Sequence, residues 1–276
     1  MQIGQFKITS FVEQKFKLDG GSMFGVIPRM MWEKLIPPDK NNLIPMVTNM
    51  FVLKAHGKNI IFDAGLGDTL SEREKKIYNT DNISMIDDGL AESGLTTNDI
   101  DYVVLTHLHT DHSAGAVKFK GDKLVPRFPN AKIIISKEEW EDAINPNERT
   151  SAVYIPERFY VLQDANRVEL IELDKEILPG IKAVRTGGHT GGHFALEIES
   201  DNHKLYYYAD IFPSSTHIKV PFVPATDLYP LDTMAIKRKK LPEIIENEVV
   251  MAFDHDINIP LGIVKQDGKK IFVESV

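Results

Sequence analysis

Thr106-His107-Leu108-His109-Thr110-Asp111-His112-Ser113-Ala114-Gly115 follows directly on the apolar run Tyr102-Val103-Val104-Leu105. The run reads as a buried strand, and the stretch after it as a loop that carries metal ligands. In an extended segment alternate side chains share a face, so His107 and His109 converge on one ion while Leu108 turns into the core. Asp111 and His112 come after the chain has begun to turn and point elsewhere, which suggests a second ion beside the first. One histidine in a loop would fit an ordinary polar role. Three imidazoles and a carboxylate in so short a stretch would repel one another or stay unsatisfied without a cation.

Working outward, further His and Asp residues stand at strand ends. Asn49–Ala55 and Asn59–Phe62, joined by His56-Gly57-Lys58, read as a hairpin that runs into Asp63. That carboxylate either caps the next turn or orients a ligand histidine from behind. Ile181–Val184 leads into Thr186-Gly187-Gly188-His189-Thr190-Gly191-Gly192-His193, where the glycines let a histidine approach an ion closely. Leu205–Ala209 ends at Asp210, and Val249–Phe253 at Asp254-His255-Asp256.

The other segments fill in a βα pattern. Ile3–Val12, Lys132–Ile135, Val168–Leu173 and Phe194–Ile198 read as strands. Ser84–Ser93, with Gly94 behind it, and Lys137–Ala143 read as helices. A short helix is expected at 29–35, a helix broken near Pro242 over 231–248, and a closing hairpin around Gln266-Asp267-Gly268. Residues 116–130 and 147–164 show no clear period. The alternation favours an α/β fold with a mixed sheet covered by helices, active residues lying at strand ends. With no repeat or linker, residues 1–276 read as a single domain, whose glycine-flanked N-terminal loop, about 14–41, is expected near the site.

The chain has 276 residues, 42% of them hydrophobic, enough for a sizeable core. Lys plus Arg number 32 against 40 Asp plus Glu, a net charge of -8, which speaks against nucleic acid or an anionic membrane as partner. No apolar run spans a bilayer and the N-terminus lacks a basic region followed by an apolar core, so a cytoplasmic location is expected. The chain has 0 Cys, so any ion is held by nitrogen and oxygen.

His107-Leu108-His109-Thr110-Asp111-His112, preceded by Asp63 and followed by His189, Asp210 and His255, resembles the metallo-β-lactamase superfamily of metal-dependent hydrolases. The resemblance spans most of the chain. It implies an αββα sandwich of two mixed sheets with helices outside. It also implies two divalent ions, zinc first and manganese or iron as alternatives. His107, His109 and His189 would hold one ion, Asp111, His112 and His255 the other, and Asp210 both. A hydroxide shared by the ions would attack the substrate carbonyl, with Asp111 moving a proton to the leaving group and Asp63 orienting a histidine.

Gly-His-Thr-Gly-Gly-His, the Asp-His-Asp ending and Gly-Gly-Ser-Met-Phe-Gly in the N-terminal loop are similar to the quorum-quenching lactonases and their methyl-parathion-hydrolase-like relatives. Lactone or ester hydrolysis is the expectation, of the N-acyl homoserine lactonase kind. Phosphodiester, phosphotriester and thioester hydrolysis use the same metals and are the alternatives within enzymes; a metal-dependent ligand sensor is the alternative outside them. Two positions depart from the best-known lactonases: Thr110 stands where they carry a bulky aromatic, and Pro213 where they carry a tyrosine. Met23, Phe24 and Phe212 are expected to form an apolar acyl pocket, with His217 facing the substrate. His193 is expected either behind His189 or in loop packing. The partner is a small molecule, and the apolar N-terminal arm leaves a homodimer open.

Overall fold

The computed structural model describes residues 1–276. Two seven-stranded mixed sheets lie face to face. The first runs, in hydrogen-bonded order, through Gln2–Ile3, Phe6–Asp19, Leu43–Ala55, Lys58–Phe62, Tyr102–Val104, Lys132–Ser136 and Val168–Ile171. It is antiparallel up to Lys58–Phe62 and parallel from there on. Crossover segments carrying the helices Ile86–Glu92 and Lys137–Ile144 make the parallel part possible. The second sheet comprises Lys175–Leu178, Ile181–Arg185, Phe194–Ser200, His203–Tyr207, Val250–Ala252, Leu261–Asp267 and Lys270–Ser275. Its single parallel pair joins His203–Tyr207 to Val250–Ala252. The helix Pro230–Glu246 lies on the connection between those two strands.

Between the sheets, Phe51, Phe62, Val104 and Ile134 meet Phe194, Leu196, Leu205 and Tyr207. The opposite face of the first sheet, through Ile61, Val103 and Ile133, packs on Leu90, Trp140 and Phe159 of its helices. Tyr206 and Met251 of the second sheet, with Tyr208 just past its strand, likewise pack on Leu241 and Ile244. Buried on both faces, the parallel strands read as unbroken apolar runs, as Tyr102–Leu105 does. The layers are helix, sheet, sheet, helix, which is the expected sandwich. No helix is long and apolar enough to cross a membrane.

The second element departs from the sequence reading. A single strand runs from Phe6 to Asp19 and pairs with Leu43–Ala55 across a shift between Val12 and Gln14. The period-two pattern fails there because Glu13 is buried and accepts hydrogen bonds from Thr48 Oγ1 at 2.7 Å and from the Leu66 and Gly67 amides. What reads as a loop at 14–41 is therefore strand up to Asp19, then two short helices, Gly20–Phe24 and Arg29–Trp32.

Pro242 sits inside Pro230–Glu246 without ending it, because Leu241 and Ile244 anchor that turn in the core. Residues 117–126 form a two-stranded ribbon, and Pro156–Asp164 a covering helix.

Candidate metal centre

Every expected ligand sits where a strand of one sheet runs out at the same edge of the sandwich. The strand Tyr102–Val104 delivers His107 and His109, and a helical turn, Thr110–Ser113, delivers Asp111 and His112. Leu108 is fully buried between the two histidines, as the alternation requires. From the second sheet, His203–Tyr207 leads to Asp210 and Val250–Ala252 to His255. The glycine-rich turn brings His189 across the helix Lys137–Ile144. A Cβ on Gly192 would lie 2.1 Å from the Glu139 amide nitrogen, so only glycine lets the turn pass that close.

The side chains form two groups that share one carboxylate. His107, His109, His189 and Asp210 place one donor atom each within 4.8 Å of one another, and so do His112, Asp210, Asp254 and His255. Asp210 faces them with different oxygens. Its Oδ2 is 2.9 Å from His189 Nε2 and 3.8 Å from His107 Nε2. Its Oδ1 is 3.3 Å from His255 Nε2 and 3.6 Å from His112 Nε2. Asp111 stands at the edge of the second group, Oδ2 3.7 Å from His255 Nε2.

The other nitrogen of four of the five histidines is held from behind. His112 Nδ1 meets Asp63 Oδ2 at 2.9 Å, His189 Nδ1 meets Asp227 Oδ1 at 2.8 Å, and His255 Nδ1 meets the Val47 carbonyl at 2.9 Å. His107 Nδ1 lies 3.1 Å from Thr106 Oγ1, whose hydroxyl donates to Asp63 Oδ2 at 2.8 Å. Asp63 also accepts from the Thr106 amide and the Tyr207 hydroxyl. One carboxylate thus orients a histidine of each group. With Nδ1 protonated toward these acceptors, the Nε2 lone pairs of His107, His112, His189 and His255 point inward.

These residues fit divalent cations. His107 Nε2 and Asp210 Oδ1 are buried with no hydrogen-bond partner. His189 Nε2 faces His109 Nδ1 at 2.9 Å, and His255 Nε2 faces His112 Nε2 at 3.3 Å, pairs in which inward lone pairs would repel. A cation between them removes both problems, and the nitrogen and oxygen set suits zinc, manganese or iron.

Protonation shows the same demand for positive charge. Burial, then the neighbouring imidazoles, hold His107 and His109 well below the ordinary histidine range. Against the effect of burial, Asp210 and Asp111 hold His112 well above it. Burial is again outweighed at His189, lifted to about 10 by Asp210 and Asp227, and at His255, lifted to about 9 by Asp254 and Asp210. Despite burial, His189 and His112 keep the Asp210 carboxyl well below the usual range. Protons on three histidines thus supply the charge that a cation would supply.

A cavity of about 400 Å³ opens onto both groups, with His109, Asp111, His189, Asp210 and His255 as its floor. Its walls are chiefly Leu18, Met23, Met46, Ile77, Val153 and Leu228, with Arg149 and the Tyr78 ring also facing it. The Tyr78 hydroxyl donates to Asp111 Oδ1 at 3.3 Å. An open groove of about 690 Å³ over the ribbon Val117–Pro126 is larger but touches none of these residues, so volume alone does not locate the site.

Of the residues expected to contact substrate, Met23 lines the cavity and three do not. Phe24 is stacked between Trp32 and His217, at 5.3 and 4.6 Å, and props the wall from behind. His217 is buried, its ring held by Ser214 Oγ at 2.7 Å and by the Met23 carbonyl at 2.9 Å. Phe212 packs into the core against Tyr208, because the turn Ala209–Ile211, with Asp210 at its centre, swings the chain away from the cavity. His193 lies behind the site, Nδ1 on Thr186 Oγ1 at 2.5 Å and its ring 5.0 Å from that of His107.

Residues absent from the sequence reading complete the frame. Asp227 holds His189, and Glu139 accepts from the Leu108 amide, Tyr154 and Thr190, tying the two histidine loops together. Nothing local marks either one as part of the site, since the histidine-loop residues they hold are 38 and 31 or more residues away.

Comparison with known proteins agrees with this geometry. The family model described as the metallo-beta-lactamase superfamily matches residues 43–243. The chain belongs to the metallo-β-lactamase superfamily. Within it, an N-acyl homoserine lactonase of Bacillus cereus is 25% identical over 252 residues, 85% of this chain and 89% of that protein. A probable metal-dependent hydrolase from Staphylococcus aureus superposes with a TM-score of 0.91 at 33% identity, covering 100% of this chain and 99% of that one. AidC, a dizinc quorum-quenching lactonase solved with a product, superposes with a TM-score of 0.82 at 22% identity, covering 100% and 96%. This member of the metallo-β-lactamase superfamily is a metal-dependent hydrolase.

Proposed function

We propose that the chain is a dinuclear hydrolase of uncharged lactones or esters that carry an apolar acyl chain, of the N-acyl homoserine lactone type. The observation that carries this reading is the divided Asp210 carboxylate, one oxygen toward each buried donor group, beneath a cavity with chiefly apolar walls. His107, His109 and His189 would hold the first ion, Asp111, His112 and His255 the second, and Asp210 both. Bound there, the ions supply Lewis acidity for the substrate oxygen and a water acidic enough to act as a nucleophile near neutral pH.

The chain's own residues do the rest. Asp63, through His112 and Thr106, fixes the imidazoles, so that no reorientation accompanies reaction. Asp111, on the cavity floor with Oδ1 steadied by Tyr78, would take the proton that the attacking water loses and give it to the leaving oxygen of the opened ring. Met23, Met46, Ile77, Val153 and Leu228 exclude water and bind the acyl chain. Arg149 is the one basic side chain on the wall apart from the histidines, which favours neutral substrates over phosphodiesters or the thioester of an anionic carrier. The similarity to named lactonases, at 25% identity, supports the lactone within that class.

The test is a panel of homoserine lactones from butanoyl to dodecanoyl, an aryl ester, a thioester and a phosphotriester, assayed with metal-loaded protein. We expect kcat/KM to rise with acyl length. Met23→Trp, which fills the wall, should cut the decanoyl lactone by roughly 10-fold or more and leave the butanoyl lactone near its starting rate, as mismatches of one or a few methylenes do. A phosphotriester or thioester preferred over every lactone, or rates indifferent to chain length, would contradict the proposal.

A further inference from the structure

Buried carboxylates surround this site, and apart from the shared Asp210, whose Oδ1 lacks a hydrogen-bond partner, all but one are satisfied. Glu13, Asp63, Glu139 and Asp227 each accept at least two hydrogen bonds. Asp254 accepts none: both its oxygens are buried and without a partner, and the residue is 3% exposed. An isolated charge so placed is costly unless a cation lies beside it.

Once the histidines have given up the protons that a metal displaces, the neighbours of Asp254 cannot act as donors. Its Oδ2 is 3.4 Å from His255 Nε2 and 3.6 Å from His112 Nδ1. The His112 Nδ1 proton points to Asp63 at 2.9 Å, and the His255 Nδ1 proton to the Val47 carbonyl at 2.9 Å. Neutral His255 therefore turns a lone pair, not a proton, toward the carboxylate.

A lone pair and a carboxylate oxygen at that separation have the spacing of two ligands on one ion. Donors about 2.1 Å from a metal and 90 to 110° apart stand about 3.0 to 3.4 Å from each other. Around His255 Nε2 the distances are 3.4 Å to Asp254, 3.3 Å to Asp210 and 3.3 Å to His112. Asp111, at 3.7 Å, is farther out. The position of Asp254 is fixed by Asn49, whose amide nitrogen donates to the Asp254 carbonyl at 2.6 Å and whose side chain donates to the Phe253 carbonyl at 2.8 Å.

We propose that Asp254 is an additional carboxylate ligand of the second ion, facing it from the side opposite the cavity. The inference rests on the dinuclear reading above. It makes the two sites chemically unequal. The first offers three imidazoles and a share of Asp210. The second offers two imidazoles, a share of Asp210 and two further carboxylates, Asp111 and Asp254, a harder and more negative set that suits manganese or iron(II) better than the first does. The rival account is a buried water: a small void of about 10 Å³ beside Asp254, Glu13, Asp63 and Tyr207 has room for at most one.

The experiment titrates metal-free wild type and Asp254→Asn with zinc(II), manganese(II) and cobalt(II) against a competing chelator, and records cobalt absorption. Wild type should bind two ions. In Asp254→Asn the first affinity should stay within about twofold, the second should fall on the order of 10- to 100-fold or more, most for manganese, and the second site's cobalt d–d bands should intensify as its coordination number drops. Unchanged second-site affinity and an unchanged cobalt spectrum, with two ions still bound, would overturn the ligand role and leave the dinuclear reading standing. Fewer than two ions on wild type would overturn both. If the variant does not fold, diffraction from metal-loaded wild type decides: an Asp254 oxygen about 2.0 to 2.2 Å from the ion supports the proposal, and a water between them overturns it.

Discussion

Asp210→Asn is expected to lower kcat/KM for the preferred substrate by at least about 10³-fold, or about 4 kcal/mol of transition-state stabilisation. The substitution keeps the shape of the side chain and removes the charge that both donor groups share. Both ions should bind more weakly and the second should be lost first, so metal content should fall from two ions toward one as activity falls. The fold should persist, since the sheets pack through Phe62, Val104, Leu196 and Tyr207 and not through Asp210. Far-UV circular dichroism close to wild type, read beside metal content, separates a damaged site from a damaged fold. A loss below about 10-fold with two ions retained would remove Asp210 from its bridging role.

Stripping the metal is the second large effect, and stability should register it as well as activity. Each ion present at about a thousand times its dissociation constant adds about 4 kcal/mol to the folded state. At about 2 °C per kcal/mol for a chain of this size, chelation should lower Tm by roughly 15 °C. Proton balance gives the pH dependence and its sign. Near pH 7 the metal-free protein keeps protons on His189, lifted to about 10, and on His255, lifted to about 9. A metal can bind only by displacing them, so affinity should rise with pH until about 9 to 10 is passed, and binding should release protons. Titration calorimetry in buffers of different ionisation enthalpy measures that release. Zero release near pH 7, or a Tm indifferent to chelator, would show that the histidine groups hold no metal.

How much of this was legible in the chain follows from how local each signal is. His107, His109, Asp111 and His112 lie in one short loop after a strand buried on both faces, so their spacing alone implied a metal and a strand end. Asp210 and His255 were legible for the same reason, each following an apolar run. Asp63 was legible as a carboxylate at a strand end, while its hold on two histidines appears only when Thr106 and His112 come beside it.

Other features depend on partners distant in sequence. In sequence the strand to Asp19 reads as ending at Val12, because Glu13, a charge inside a strand, is tolerable only with Thr48 and two backbone amides around it. Phe212 and His217 follow Asp210 so closely that they read as neighbours of substrate. One turn of helix at Ala209–Ile211 sends the chain into the outer core instead. Tyr78 carried no signal, because its helix is aimed from afar: the Arg158–Glu74 pair, at 2.7 Å, clamps Glu72–Tyr78 over the cavity mouth. The phenol reaches the floor of the site from an element other than the one carrying Pro213.

The most direct test is anomalous diffraction at the metal edge from crystals of the metal-loaded protein. The account predicts two peaks about 3.5 to 4 Å apart, one within bonding distance of His107, His109 and His189, the other of His112 and His255, with Asp210 reaching both. A single peak, or two peaks of which only one touches Asp210, would contradict the shared centre on which the proposed chemistry stands.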